Sequence, residues 1–287
     1  MRPASRRRPC PAAAHGPSVV GMRIRVIDAF TDRPFAGNPA AVCVLDGPGW
    51  PDEAWMQQVA LEMNLSETAF TRPEPGPDAE WGLRWFTPAV EVRLCGHATL
   101  ATAHALRSDG LLKGGVRFAT RAGILTAEAV EDGAITLDFP IAPVTPAKAP
   151  EGLAEAIGAP VVAVYDTGAL EDVVVEVADA ATVHGLRPDL VRLAGLTRRG
   201  VAVTAAGSDG FDFVSRFFAP AVGIPEDPVT GSAHTALAAL WSARLGRDEL
   251  VGLQASARSG VVRTRVVGDR VLLTGHAVTT LEGTLRC

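Results

Sequence analysis

Cysteine is scarce and unpaired in this sequence. The four cysteines, Cys10, Cys43, Cys95 and Cys287, form no CxxC pair, so neither a zinc site nor a disulfide framework is expected and a reducing cytoplasm fits. Long apolar runs are also missing. No stretch approaches the roughly 18 residues that a spanning helix needs, so no membrane partner is expected. Basic charge is short as well, with 27 Lys and Arg against 32 Asp and Glu and a formal net charge of −5. Arg2, Arg6, Arg7 and Arg8 sit in the first 21 residues, which leaves the body more acidic still and speaks against nucleic acid as a partner. What is plentiful is apolar material: 47% hydrophobic against 21% charged over 287 residues, enough for a sizeable core and a length for which two domains are expected.

Residues 1–21 have no helical or strand period, and no apolar segment follows their arginines as a signal peptide requires. They read as a disordered extension, with a start codon assigned too early as the simplest origin. A clear strand pattern opens at Met22.

The chain also repeats itself. RWFTPAVEVRLCGHATLATAHAL over 84–106 matches RFFAPAVGIPEDPVTGSAHTALAALW over 216–241, at an offset of 132 from Arg84 to Arg216 and of 135 from Gly96 to Gly231. The period is far too long for a solenoid and implies two similar domains. In each copy an aromatic strand runs into a Pro-containing loop, and a glycine opens a helix, Ala98–Leu106 or Ala233–Trp241, that is apolar on nearly every side. A helix of that kind is buried. Around the two helices lie short β-rich runs bounded by Gly, Asp and Pro: Arg23–Phe30, Ala40–Leu45, Gly115–Thr120, Ile135–Phe139, Val173–Val177, Gly200–Thr204, Val261–Val267 and Val271–Thr274. The expected fold is therefore α+β, with two domains, 22–141 and 151–287, each a barrel-like mixed sheet wrapped around a central helix. The Pro-rich stretch 142–150 is the expected linker. Trp55, Met56, Val59, Ala60 and Met63 recur at helical spacing, which predicts an amphipathic helix over 52–63 ending at Asn64; Leu153–Ile157 and Pro188–Leu193 are shorter helical pieces.

Helix N-termini carry unpaired N–H groups and the positive end of the dipole. If the two domains face each other, Gly96-His97 and Gly231-Ser232 converge on one small acidic ligand. The plainer alternative is that the glycines only let the helices pack. His97, in a first helical turn, is expected to stay neutral near pH 7 because the dipole lowers its pKa. His104 and His234 read as core histidines, His184 and His276 as loop or strand-end residues. Glu67, in Ser66-Glu67-Thr68, enters the core at a strand start; a carboxylate there is costly unless paired or protonated, which suits acid/base work, although a surface glutamate is the simpler reading. Asp227, before Pro228, is either a turn residue or part of the second anion turn. Cys95 has no thiol partner in the repeat, where Thr230 takes its place, so it reads as packing; no ligand cluster accompanies Cys95 and His97, so no metal is expected.

From Met22 onward the chain resembles the phenazine-biosynthesis isomerase family, the PhzF-like proteins, related in fold to diaminopimelate epimerase. The resemblance rests on VIDAFTDRPFAGNPAAV, MNLSETAF, RWFTPAVEVRLCGHATL, GIPEDPVTGSAH and QASARSG, in that order. It implies an active site in the cleft between two similar domains, a last strand that crosses back to the first domain, no cofactor and a homodimer. It also implies that Glu67 is the acid/base residue, that His97 and Asp227 are catalytic, and that Gly96, Gly231 and Ser232 bind a carboxylate-bearing substrate. Arg93, at the expected cleft mouth, departs from the acidic or small residue of many relatives.

The leading expectation is thus a cofactor-independent isomerase that moves a proton on a small carboxylic acid. The alternatives are an amino- or hydroxy-acid epimerase or racemase, which lacks its second thiol here, and a non-catalytic protein that binds a small acid.

Overall fold

The computed structural model describes residues 21–286, so all but the last residue of the expected extension 1–21 lies outside the described residues. β-Branched and aromatic residues carry the chain into strands at once. In the first half these are β1 (Met22–Ala29), β2 (Asn38–Val44), β3 (Glu67–Pro73), β4 (Trp81–Phe86), β5 (Glu91–Val92), β6 (Gly115–Thr120), β7 (Gly123–Ala129) and β8 (Ile135–Pro140), with α1 (Glu53–Met63) before β3 and α2 (Gly96–Ser108) before β6. β2 lies antiparallel to β1, β3 parallel to β2, and β4 antiparallel to β3; β5 then pairs antiparallel with β4, β6 runs parallel to β4, and β7 and β8 continue antiparallel.

The second half opens with β9 (Thr145–Pro146), α3 (Leu153–Ile157), β10 (Ala163–Asp166), β11 (Val173–Glu176), α4 (Ala180–Gly185) and α5 (Leu190–Ala194). It continues through β12 (Val201–Ala206), β13 (Phe213–Ala219), β14 (Ile224–Asp227), α6 (Gly231–Leu245), β15 (Glu249–Gln254), β16 (Gly260–Val267), β17 (Arg270–Gly275) and β18 (Ala277–Leu285). Pairing from β10 to β17 follows the same succession of parallel and antiparallel steps as β1 to β8. β8 pairs with β17, while β9 crosses to β10 and β18 to β1, so hydrogen bonding is continuous through one large mixed sheet. The fold is α+β, with few helices. Thr145 and Pro146, inside the stretch 142–150, are paired to β10 rather than hanging free.

Helix boundaries have local causes. The Asp52 side chain accepts from Ala54 N and opens α1, and Asn64 closes it in a left-handed conformation at φ 48°. α2 and α6 each begin at their glycine and run longer than the apolar pattern predicts. α2 packs against β1, β2, β3, β7, β8 and β18, and α6 against β15, β16 and β17. Phe213 stacks parallel to Trp241 beneath α6, with centroids 6.2 Å apart. His184 lies within α4, a helix that sequence patterning did not predict. No helix among the described residues is long and apolar enough to cross a membrane.

Candidate active site

The starts of α2 and α6 meet end to end. A Cβ built on Gly96 would lie 3.6 Å from the Gly231 Cα, and one built on Gly231 would lie 3.5 Å from the Gly96 Cα. Neither start has a side-chain cap, so two sets of first-turn N–H groups are gathered in one place without a capping oxygen. Two positive dipole ends facing each other are unfavourable unless negative charge lies near them.

Glu67 brings a carboxylate there from the first half, against His97, the second residue of α2. The His97 Nε2 stands 3.2 Å from the Glu67 Oε2, where β3 begins after the left-handed turn at Asn64. Both side chains are largely buried, 6% and 14% exposed, yet neither of these two atoms completes an aligned hydrogen bond. On the other edge of the ring, Nδ1 lies 3.6 Å from the Cys95 Sγ. Burial acts against a charged imidazole here, but the negative charges available at Cys95 and Glu67 outweigh it and push the His97 pKa well above its ordinary value. Burial, helped by the Glu67 charge, pushes the Cys95 thiol up. The expected neutral His97 is therefore corrected: a carboxylate brought 30 residues along the chain to within 3.2 Å overrides the helix dipole.

Asn38, the first residue of β2 and fully buried, ties this pair to the second half. Its Nδ2 donates to the Asp227 Oδ1 at 2.8 Å and to the Val229 carbonyl at 2.9 Å, and lies 3.2 Å from the His97 Nδ1. Asp227 closes β14 and accepts from the Thr230 Oγ1 at 2.6 Å. Burial pushes its carboxyl up, although His97 and the hydrogen bonds oppose the rise. Gln254 braces the same turn, accepting from the Thr230 N at 2.8 Å and donating to the Asp227 carbonyl at 2.7 Å. Ser232 is half-buried on α6 and accepts from the Arg199 Nη2 at 2.7 Å.

Glu67 and His97 thus touch, Asp227 joins them through Asn38, and Gly96 and Gly231 form the floor beside Ser232. Arg93 is exposed, with its guanidinium turned to the Arg121 carbonyl. Asn38, Arg199 and Gln254 were not among the predicted site residues; Asn38 and Gln254 do stand inside the motifs AGNPAAV and QASARSG. His104 and His234 pack inside the halves, His104 Nε2 lying 3.1 Å from the Thr279 Oγ1 and His234 Nδ1 2.8 Å from the Thr230 carbonyl.

The structure also supplies Cys95 and His97 with a third metal-ligating side chain, which spacing alone did not reveal. Donor atoms of Glu67, Cys95 and His97 lie within 4.8 Å of one another. The thiol faces one ring nitrogen and the carboxylate the other, and an ion binds only one of the two.

A carboxylate and an imidazole thus stand together beside two uncapped helix starts on a mixed sheet, and comparison with known proteins shows which family carries such a chain. Residues 27–283 match the profile of the phenazine biosynthesis-like protein family (PhzC-PhzF), and the chain belongs to that family. It is 49% identical over 263 residues to an uncharacterized isomerase of Pseudomonas aeruginosa, covering 90% of this chain and 96% of that protein. The crystal structure of a PhzF-family phenazine biosynthesis protein from Enterococcus faecalis superposes with a TM-score of 0.87 at 38% identity, over 93% of this chain and all of that one. The fold alone is shared with a hydroxyproline epimerase of Agrobacterium vitis, at a TM-score of 0.62 and 14% identity over 92% of each chain. With family members this similar named as isomerases, the chain is an isomerase by family.

Proposed function

We propose that the protein is an isomerase that moves a proton on a small carboxylic acid, with Glu67 as the acid/base group. The observation that carries this reading is the 3.2 Å approach of Glu67 to His97, with neither atom engaged in an aligned hydrogen bond. A carboxylate so placed takes a proton from an activated carbon and returns it to another carbon, and general acid/base catalysis of this kind contributes about 10²- to 10⁴-fold in rate. His97, 3.2 Å from Glu67, holds the substrate and stabilises the charge that develops during transfer. Asp227 and Ser232 orient the substrate, while N–H groups at Gly96 and Gly231 clamp its carboxylate. The transfer is redox-neutral, so these residues suffice and no cofactor is invoked. We read the halves 22–141 and 151–287 as two domains facing across this site, in a homodimer that works in the cytoplasm; sedimentation of the purified chain tests the dimer.

A second reading, epimerisation of an amino or hydroxy acid, is favoured by the shared fold with the hydroxyproline epimerase. It differs in outcome: an epimerase returns the proton to the same carbon on the opposite face. Following substrate carbons by NMR in D₂O, with wild type and Glu67→Gln, distinguishes the two. Movement of the double bond supports the isomerase, stereochemical inversion supports the epimerase, and full activity of Glu67→Gln removes the mechanism. Tight binding of an acid that emerges unchanged, with no exchange, points to a binding protein.

A further inference from the structure

Strand register gives each residue of one wall of the site a counterpart on the other. Thr68 pairs with Phe86 between β3 and β4, and Val201 pairs with Phe218 between β12 and β13. Phe86 and Phe218 hold the same place in the two Arg-aromatic-Phe stretches. Glu67 therefore corresponds to Gly200 and Ser66 to Arg199, just as His97, one residue past Gly96, corresponds to Ser232, one past Gly231.

The second wall has no room for a carboxylate at the matching place. A Cβ on Gly200 would lie 2.4 Å from the Phe217 Cζ, closer than carbon atoms approach. The neighbouring residue fills the role differently. Arg199 lays its guanidinium 5.5 Å from the centroid of that same Phe217 ring and donates from Nη2 to the Ser232 Oγ at 2.7 Å. Its Nη1 donates to the Asp172 Oδ2 at 2.5 Å. Where one wall carries Glu67 against His97, the other carries Arg199 against Ser232.

Asp172 anchors this cation. Its side chain is 1% exposed and its Oδ1 has no hydrogen-bond partner, while the Arg199 side chain is 33% exposed. Burial pushes the Asp172 carboxyl up to about 7 against the pull of the Arg199 guanidinium, whose own face remains partly open. Because Ser232 accepts from Arg199, its own hydroxyl proton is left to donate elsewhere. A fixed guanidinium fork beside a hydroxyl donor matches a carboxylate.

We propose that Arg199, acting with Ser232, is the anion-recognition side of the site, holding a carboxylate of the substrate across from Glu67 and His97. This rests on the reading of the protein as an isomerase of small acids, and it makes the two walls unequal: proton transfer on one, charge recognition on the other.

The test uses benzoate and benzamide, alike in shape and different in charge, titrated into the full chain by calorimetry. Wild type is expected to prefer benzoate by about tenfold or more, a scale set by one charge-assisted contact. Arg199→Gln lowers the preference severalfold, to what the N–H groups at Gly96 and Gly231 supply, and Arg199→Lys keeps more of it. Since Arg199→Gln leaves Asp172 buried without its cation, the double variant Arg199→Gln/Asp172→Asn removes both charges and guards against a folding defect. Glu67→Gln keeps the preference. Failure of the proton-transfer reading, seen as undiminished exchange in Glu67→Gln, is thereby separate from failure of this one. No preference in wild type, whether both probes bind equally or neither binds, overturns the proposal, as does an undiminished preference in the double variant.

Discussion

The Glu67 Oε2 lies 3.2 Å from the His97 Nε2 inside the protein, and neither atom has an aligned hydrogen bond. This pairing makes His97 a source of pH-dependent stability. The folded His97 pKa is raised well above the unfolded value, so its contribution is fully present below about pH 6.5 and is lost as pH rises through the folded value. Urea unfolding of wild type at pH 6 and pH 9 is expected to show this alkaline loss, and His97→Gln is expected to show less of it.

His234 has the opposite sign. Burial on the inner side of α6 pushes its pKa down to about 4, against about 6.5 in an unfolded chain. Its contribution is present above the unfolded value and falls away as pH drops from about 6.5 toward 4, by on the order of 3 kcal/mol if it acts alone. The same urea series extended to pH 5 checks this, and His234→Gln is expected to flatten the acid limb.

Asn38 bridges the two halves of the site through Asp227, the Val229 carbonyl and His97. Asn38→Ala leaves two buried acceptors short of a donor, which costs about 1–3 kcal/mol each at most. Lower stability together with a fall in kcat is expected. Asn38→Asp, which brings a carboxylate against Asp227, is expected to be worse than Asn38→Ala in both measurements.

The glycines at the helix starts admit a sharper test. A methyl group at Gly96 would meet only ordinary van der Waals contacts, the nearest at 3.6 Å, so packing by itself does not demand glycine there. Gly96→Ala is expected to fold with its Tm little changed while losing affinity for small carboxylates by tenfold or more. A variant that loses stability and keeps binding would return this glycine to a packing role.

Much of this arrangement is legible in the sequence, for reasons that are local. The match of Arg84-Trp85-Phe86 with Arg216-Phe217-Phe218 places both aromatic strands, and the apolar faces after Gly96 and Gly231 place both buried helices. The α1 stripe and the Asn64 stop follow from periodicity and a left-handed cap. The missing parts depend on closure of the sheet. Arg199 meets Asp172 and Ser232 only once segments 27 and 33 residues away in sequence are brought to it, and Asn38 reaches Asp227 across 189 residues. The upward shift of His97 is hidden from the sequence for the same reason: the helix dipole is local, whereas the carboxylate that opposes it arrives only with tertiary packing. Glu67 itself read as a surface residue until the family resemblance, and its 14% exposure comes from elements packed over a strand start that has no distinctive pattern.

The most direct test of the central claim is an NMR assay in D₂O that follows both chemical conversion and deuterium uptake at carbon. Wild type and Glu67→Gln would be compared over a panel of small unsaturated, amino and hydroxy acids. The account predicts conversion or carbon-bound exchange of at least one acid by wild type, reduced at least about 100-fold in Glu67→Gln with the fold intact. Conversion by Glu67→Gln at the wild-type rate would contradict it.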